Sequence, residues 1–371
     1  MGLRRGGALT GAAARPGAAP VSRRWLGSLA GVSPSDERSS ARPLVDNAFA
    51  RWSARLHVVT GKGGTGKTTV AASLALALAA EGRRTLLVEV EERQGIAQVF
   101  DIAPLPYEER PIATGYPGTR SGGGGEVYAL SVDAEEALLE YLAVFYKLGR
   151  AGKALKKLGA IDFATTIAPG MRDVLLTGKV KEAVTRTVDG RRVYDAVILD
   201  APPTGRIGRF LNVTAETARL AKVGPIKTQS EGVAAVLRSP VTAVHVVTLL
   251  EEMPVQETAD AVAELRRLEI PVGMIIVNAT QPPLLPEGRL SQSDLRKGLA
   301  AAGLSTEKSL VSALVTEART HQARSRVEEG LRKELAELDR PLVELPALAG
   351  GVDLAGLQRL AAALLRVERA P

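Results

Sequence analysis

Short apolar segments recur along the chain from residue 55 onward, and segments with a helical pattern separate them. Several of the short segments are continuously apolar, as expected for strands that a parallel sheet buries on both faces. The predicted strands are Leu56–Thr60, Thr85–Val90, Val127–Val132, Tyr194–Asp200, Ala243–Leu250, Val272–Asn278 and Leu342–Leu345. The predicted helices are Lys67–Glu81, Glu135–Leu148, Val255–Leu268 and Leu357–Val367. This alternation predicts an α/β fold with a doubly wound, mostly parallel sheet.

Two stretches are too long to be simple connections in such a sheet domain. They lie at about 135–190 and 285–338, and both are charged and helical in pattern. Helices outside the sheet layers would form an added helical subdomain that binds a partner. Ordinary cover helices with solvated charged faces are the alternative. The C-terminal helix is rich in alanine and leucine, and we expect it to pack on the sheet instead of lying on a membrane.

The first 53 residues are rich in Ala, Gly, Arg, Ser and Pro without a sustained period, which predicts a disordered N-terminal extension before a domain at 54–371. Its arginine-rich, acid-poor start also resembles a transit peptide, and a non-essential extension or an over-long gene start is the alternative. Nine arginines and three acidic residues fall within residues 1–55, so most of the net charge of +7 lies there. The remaining chain is nearly neutral, and we therefore expect no nucleic-acid partner.

The chain contains no cysteine. This excludes disulfides, thiolate-bound zinc, iron–sulfur clusters and thiol catalysis, so we expect neither zinc nor an iron–sulfur cofactor. The three histidines, His57, His245 and His321, are far apart in the sequence. The first two lie inside apolar segments, where a core histidine is a better interpretation than a metal ligand.

One segment matches the phosphate-binding pattern G-x-x-x-x-G-K-[ST] in full, and it reads Gly61-Lys62-Gly63-Gly64-Thr65-Gly66-Lys67-Thr68. It follows a predicted strand and opens a predicted helix, which is the context that the motif requires. Its glycines let backbone N–H groups approach phosphate oxygens, and the helix N-terminus adds the positive end of its dipole. We expect Lys67 to pair with the β- and γ-phosphates of ATP and Thr68 to place its hydroxyl on Mg²⁺. The predicted nucleotide-binding residues of the segment are Gly61, Gly63, Gly64, Thr65, Gly66, Lys67, Thr68 and Thr69.

Lys62 is an additional lysine near the start of the loop, and it has two interpretations. A phosphate loop wraps its own nucleotide with backbone, so a side chain at its start tends to point outward. There it could stabilise charge on a nucleotide across a two-fold interface, as a finger supplied in trans. It could equally be a solvated lysine, and the chemistry of the residue leaves both readings open.

The segment Gly61–Thr69 resembles the deviant Walker A motif of the ArsA-type anion-transporting ATPases. These are SIMIBI-type P-loop NTPases, related to the tail-anchored-protein targeting ATPases and to the Min and Par ATPases. In these families the early lysine contacts the partner subunit's nucleotide, so the resemblance implies a catalytic role in trans for Lys62. It also implies a homodimer, or a heterodimer with a paralogous ATPase. The segment Asp200–Leu211 resembles switch II of the ArsA and targeting branches, and Pro169–Asp173 resembles their Pro-Gly-x-Asp-Glu signature, with Val174 in place of the glutamate.

Three further site residues follow predicted strands. Asp200 ends a buried strand, where α/β folds bind ligands, and its carboxylate suits a water-mediated contact to Mg²⁺ as well as catalysis. The resemblance implies nucleotide contacts for Glu251 and for Asn278, the asparagine on the adenine.

Switch I departs from the family pattern, and the segment at its position in this chain is Val88–Gly95. The family has an aspartate that orients the attacking water, and Glu91 stands at its position in this chain. Glutamate is longer by one methylene but keeps the carboxylate, so it can still position water. The greater length leaves open whether ATP turnover is fast or slow. Glu89 takes this role if the register is shifted by two residues, and Gln94 is a further candidate for positioning water.

The resemblance covers nearly all of residues 55–367 as one ATPase copy, and it leaves three functions to compare. The first is an ATP-gated dimer that drives a membrane pump or hands over a client, in the cytoplasm or at the membrane through a partner. The second is a spatial organiser of the Min or Par type, and the third is a non-hydrolysing nucleotide sensor in a heterodimer. A nitrogenase-reductase-like electron carrier needs cluster cysteines and is excluded. The sequence favours the first.

Overall fold

The computed structural model describes residues 52–117, 123–146, 169–212, 225–282, 285 and 291–366. The strands in these residues are β1 (Leu56–Gly61), β2 (Arg84–Glu89), β3 (Arg110–Thr114), β4 (Glu126–Ser131), β5 (Thr187–Val188), β6 (Arg191–Arg192), β7 (Ala196–Asp200), β8 (Thr242–Thr248), β9 (Val272–Thr280) and β10 (Leu342–Pro346). Eight of them form one sheet in the order β10-β9-β8-β1-β7-β2-β4-β3.

The sheet confirms the prediction of a mostly parallel, doubly wound α/β fold. All seven predicted strands are present, and their ends differ from the predicted ones by at most two residues. The strand β3, which pairs antiparallel with β4, was not predicted. It contains Pro111, which lacks a backbone N–H and argues against a strand in a sequence pattern. An edge position tolerates this proline, and β3 is the last strand of the sheet.

The helices are α1 (Lys67–Leu78), α2 (Gly95–Phe100), α3 (Ala134–Tyr146), α4 (Pro169–Thr185), α5 (Thr204–Leu211), α6 (Pro225–Leu237), α7 (Glu252–Arg267), α8 (Gln292–Ala301), α9 (Lys308–Ala336) and α10 (Leu354–Leu365). The helix predicted over Lys67–Glu81 ends earlier, at Leu78. Glu81 has a left-handed backbone with φ of 58°, which an α-helix cannot include. The helices α1, α3, α7 and α10 correspond to the four predicted ones.

The two faces of the sheet carry separate hydrophobic clusters. One packs the sheet against α3 to α7, with Leu138, Val180 and Phe210 among its buried residues. The other packs it against α1 and α10. The helix α1 is buried from Val70 to Leu78 because it lies between the sheet and α10, which explains its apolar sequence. The burial of Leu360 agrees with the prediction that the C-terminal helix packs on the domain.

Ordered packing begins inside the predicted N-terminal extension. The indole of Trp52 is 2% exposed and donates a hydrogen bond to the Leu364 carbonyl at 3.2 Å. Residues 1–51 of the predicted extension, and the stretch 147–168, lie outside the described residues. The helix α4 covers the sheet with buried Val174 and Leu176, whereas α8 has no buried residue. In the part of the chain described, no helix has the length and apolar character needed to cross a membrane.

A buried histidine pair joins β1 to β8. The Met274 N–H donates to Nδ1 of His245 at 3.0 Å, so the proton of that ring is on Nε2. Nε2 of His245 in turn lies 3.0 Å from Nδ1 of His57, with the Trp52 ring beside both imidazoles. Burial lowers the pKa of His57 to about 4 and that of His245 well below its ordinary value. Both rings are therefore neutral in the folded protein near neutral pH, as expected for core histidines.

The fold should lose stability as the pH falls from about 6.5 to about 4. Unfolded histidines bind a proton near pH 6.5 and the folded pair does not, so stability is complete above pH 6.5 and decreases below it. Proton binding to His57 in the unfolded chain should by itself lower the free energy of unfolding by about 2 kcal/mol at pH 5 relative to pH 7.5. Urea denaturation at the two pH values measures the loss. The double variant His57→Asn/His245→Asn should show a flatter pH dependence than the wild type.

Candidate nucleotide site

The phosphate loop follows β1 at the centre of the sheet, with β7 on one side and β8 on the other. The chain continues from β1 toward β2 and later returns on the opposite side through β8, so this is the point where ligands bind in open α/β sheets. The carboxyl ends of the neighbouring parallel strands meet at the same edge. The predicted site residues lie near this edge: Glu91 and Glu251 follow β2 and β8, Asp200 ends β7, and Asn278 lies within β9, two residues before its end.

Close backbone contacts require glycine at two positions of the loop. A Cβ at Gly61 would overlap the Val247 carbonyl of β8, and a Cβ at Gly66 would overlap the amide of Asn278. Gly66 also has a left-handed backbone, with φ of 86°. The Asn278 amide donates to the Thr65 carbonyl at 2.9 Å, so β9 braces the loop from the side. The adenine contact implied for Asn278 stays a prediction.

The loop is closed around the carbonyl of Lys62. The Thr65 hydroxyl donates to this oxygen at 2.9 Å, and the Lys67 ammonium donates to it at 3.4 Å. Lys67 therefore lies over the inside of the loop, where backbone N–H groups and the start of α1 surround it. Thr69, in the first turn of α1, is half-buried. An ammonium held in this cradle is placed to meet the phosphates of a nucleotide.

Thr68 and Asp200 are paired across α1 and β7. The Thr68 hydroxyl donates to Oδ2 of Asp200 at 2.6 Å. The other oxygen, Oδ1, is buried and accepts no hydrogen bond from the described residues. Burial raises the pKa of Asp200 to about 6, and the bond from Thr68 opposes this shift. A buried carboxylate oxygen without a partner, next to a threonine hydroxyl, is suited to a Mg²⁺ ion or to one of its waters.

The donor set is therefore compatible with Mg²⁺ bound jointly by protein and phosphate oxygens. Within the described ranges, no three His, Asp or Glu side chains form a cluster that could hold a metal without a ligand. Magnesium usually binds through one or two protein oxygens together with substrate phosphates.

The two glutamates considered for positioning water, Glu89 and Glu91, occupy different environments. Glu89 is 2% exposed, and its carboxylate accepts hydrogen bonds at 3.2 Å from the N–H groups of Gly95 and Ile96, at the start of α2. Glu91 instead lies at the edge of the site, with Oε1 3.5 Å from Nη1 of Arg206 in the switch II helix α5. Glu89 is committed to backbone N–H groups, and this environment favours Glu91 as the carboxylate that reaches water.

The side chain of Gln94 does not point at the phosphate loop, contrary to the role considered for it. Its amide donates to the Leu105 carbonyl at 3.1 Å and accepts from the Leu105 N–H at 2.7 Å. Both ends are used to brace the segment between β2 and α2. The backbone of this segment is strained, because Glu92 and Gln94 have φ of 58° and 54°. Such left-handed residues lower the conformational stability by roughly 1 kcal/mol each, and they persist only where surrounding contacts hold them.

The side chain of Lys62 points away from its own cradle. Its ammonium lies 2.9 Å from Oε1 of Glu257 on α7, and both side chains are about one-third exposed, at 30% and 34%. The Thr204 hydroxyl, at the start of α5, donates to the other oxygen of the same carboxylate at 3.0 Å. The hydrogen bond from Lys62 lowers the pKa of Glu257. Lys62 is thus linked through Glu257 to the switch II helix.

Sequence reasoning missed Glu257, Arg172 and the capping role of Glu89. Glu257 lies far from Lys62 in the chain, on a helix whose pattern indicates only an amphipathic face. Arg172 belongs to the Pro169–Asp173 segment and donates to Glu92 at 2.7 Å. The resemblance of that segment to a family signature indicated that it has a function, but nothing in the sequence identified Glu92 as the partner of Arg172. Glu251 is exposed at the beginning of α7, without a side-chain capping bond.

The chain is similar to known ATPases. The sequence model of the family described as "Anion-transporting ATPase" matches residues 54–237. The "ATPase BagA" of Mycobacterium tuberculosis (strain ATCC 25618 / H37Rv) is 51% identical over 319 residues, which are 84% of this chain and 92% of the relative. The "Arsenical pump-driving ATPase" of Acidiphilium multivorum is 31% identical over 42% of this chain and 24% of its own length. The "ATPase GET3" of Phaeosphaeria nodorum is 28% identical over 53% of this chain and 55% of its own length.

Proposed function

Since the chain belongs to the ArsA-type anion-transporting ATPase family and is an ATPase, we propose that it hydrolyses Mg-ATP as a dimer in which Lys62 acts across the interface. The orientation of Lys62 carries this proposal. Lys67 already occupies the cradle, while Lys62 extends outward to a partly exposed ion pair with Glu257. A cation at the rim, held by a partly exposed carboxylate, is available to a nucleotide bound by a second subunit.

The surroundings of Lys62 also suit a subunit contact. Met253 lies at the beginning of α7, four residues before Glu257, and it is 61% exposed. Glu251 and Glu252 are exposed beside it, so an apolar side chain and charged groups share this edge. A second subunit that covers the edge would remove Met253 from water and bring its own Lys62 toward this phosphate loop.

In the proposed mechanism each residue has one task. The loop N–H groups and Lys67 would hold the β- and γ-phosphates, and Thr68 and Asp200 would hold Mg²⁺. Bound magnesium would neutralise charge on the phosphates. Glu91 orients the attacking water and accepts its proton, while Lys62 of the partner subunit stabilises the charge that develops as the phosphoryl group leaves. Thr204 joins Lys62 to switch II through Glu257, so release of this ion pair would accompany closure of the dimer.

The dimer is proposed as a homodimer or as a heterodimer with a paralogous ATPase. Its ATP-gated closure would drive a membrane pump or the transfer of a membrane-protein client. The Min- or Par-type alternative predicts a C-terminal amphipathic membrane helix or a DNA-binding basic face. The burial of Leu357, Leu360 and Leu364 of α10 gives the first of these no support. A non-hydrolysing sensor is the second candidate, because Glu91 is paired with Arg206 and is longer than the family's aspartate.

Measuring ATP turnover of the purified protein with Mg²⁺, beside Glu91→Ala, tests the catalytic part of the proposal. The wild type should hydrolyse ATP, and Glu91→Ala should lose about a hundredfold or more in kcat, since it removes the group that orients water. ATP affinity should change little, because Glu91 does not contact the phosphate loop. Glu91→Asp should retain activity, and Glu317→Ala on α9 should equal the wild type.

Two outcomes would contradict this assignment. If Glu91→Ala keeps the wild-type rate, another group positions the water. If the wild type binds ATP without hydrolysing it on its own, the sensor or the heterodimer becomes the better account.

A further inference from the structure

Charged side chains from two helices hold the Glu91–Glu92 pair of switch I. Arg206 of α5 pairs with Glu91 at 3.5 Å, as described above. Arg172 of α4 donates from Nη2 to Oε1 of Glu92 at 2.7 Å, and the two side chains are 39% and 44% exposed. Switch I is therefore attached both to switch II and to the helix that follows the undescribed stretch 147–168.

We propose that Arg172 is a positioning residue for ATP hydrolysis. It acts through Glu92 on the backbone that carries Glu91, and it does not touch the nucleotide or the phosphate loop. This inference rests on the proposed role of Glu91. It assigns a task in the reaction to the first turn of α4.

The strained backbone of switch I explains why the segment needs this contact. Glu92 and Gln94 both have left-handed backbones, so other conformations of the segment compete with the observed one. Glu89 and Gln94 lie at the two ends of the segment, and hydrogen bonds to backbone N–H groups hold the side chain of each. Glu91 lies between these anchors, and the Arg172–Glu92 pair adds a third one directly beside it.

The position of Arg172 is unfavourable for its own helix. It lies in the first turn of α4, where the positive end of the helix dipole disfavours a cation and favours an acid. Helix stability therefore does not explain the residue, whereas the bond to Glu92 does. Because α4 packs into the core through Val174 and Leu176, Arg172 is anchored on a rigid element.

A charge-reversal cycle tests the proposal. Arg172→Glu and Glu92→Arg should each lower kcat about tenfold, because small displacements of a catalytic group have large effects on the rate. The Kd for ATP should stay within about twofold, since neither side chain contacts the phosphate loop. The double variant Arg172→Glu/Glu92→Arg restores the pair with exchanged charges and should recover kcat to within about threefold of the wild type.

The pair formed by Arg84 and Glu126 provides a matched control. Its closest atoms are also 2.7 Å apart, its side chains are similarly exposed at 47% and 55%, and it lies at the amino ends of β2 and β4, the opposite edge of the sheet. The same reversals there should leave kcat unchanged. If the wild type is active and the Arg172→Glu variant equals it, or if the double variant is no better than the single ones, the proposal is overturned.

Hydrogen exchange gives a readout that does not depend on turnover. Arg172→Glu should increase the exchange of the amides from residue 91 to residue 96, and the double variant should restore their protection. Unchanged exchange in Arg172→Glu would overturn the inference even if the wild type proved inactive. An inactive wild type with the expected exchange pattern would count against the proposed function alone.

Discussion

Replacing Lys62 with alanine is expected to lower ATP turnover by at least about a hundredfold while leaving the binding of ATP to a single subunit detectable. The reason is the division of tasks between the two lysines of the loop. Lys67 lies inside the cradle and donates to the Lys62 carbonyl, whereas the Lys62 ammonium lies outside, on Glu257. Removing the outer lysine leaves the inner contacts to phosphate intact. It removes a positive charge that the partner's site needs when the phosphoryl group leaves.

The same variant should also fail to dimerise in the presence of Mg-ATP, which light scattering coupled to gel filtration measures. Its fold should be preserved, because a partly exposed ion pair contributes only about 1 kcal/mol at most. Lys227→Ala, which removes an exposed lysine from α6, provides the control and should behave as the wild type does. Unchanged turnover in Lys62→Ala would rule out the role in trans.

Replacing Lys67 with alanine should act one step earlier, on nucleotide binding itself. A charge-assisted contact to phosphate is worth about 1.5–3 kcal/mol, so the Kd for ATP should rise by roughly 10- to 100-fold. Titration with a fluorescent ATP analogue measures this for Lys67→Ala and Lys62→Ala side by side. The two variants should separate clearly, with weak binding in the first and near-normal binding in the second. Normal ATP binding by Lys67→Ala would show that the phosphate assignment is wrong.

The sequence predicted the centre of the site because its signals are local. The strand Leu56–Thr60, the loop from Gly61 to Thr68 and the start of α1 are contiguous, and each requires particular residue types. Gly66 shows this directly, since its left-handed backbone favours glycine and a Cβ there would meet the side-chain amide of Asn278. The parallel sheet was predictable for a similar reason, because strands buried on both faces are continuously apolar.

Contacts between distant segments could not be predicted in this way. The pairs Lys62–Glu257 and Arg172–Glu92 depend on how helices meet the edge of the sheet, and one sequence does not encode such contacts as a pattern. The hydrogen bonds of Glu89 to the N–H groups of Gly95 and Ile96 were likewise not predictable, and the role of Glu91 stays a prediction. The edge strand β3 was not predicted because it contains Pro111, which has no backbone N–H and is uncommon in strands.

The central claim, that Lys62 completes the site of a second subunit, is tested most directly by mixing two inactive variants. Lys62→Ala keeps its own Glu91, and Glu91→Ala keeps the Lys62 that a partner needs. A dimer of the two contains one complete site if Lys62 acts in trans, and none if it acts within its own subunit. The mixture should recover part of the wild-type ATP turnover, up to about half if every dimer is a mixed one, because each mixed dimer carries one repaired site of two. A mixture that stays at the level of the separate variants, beside an active wild type, would contradict the account.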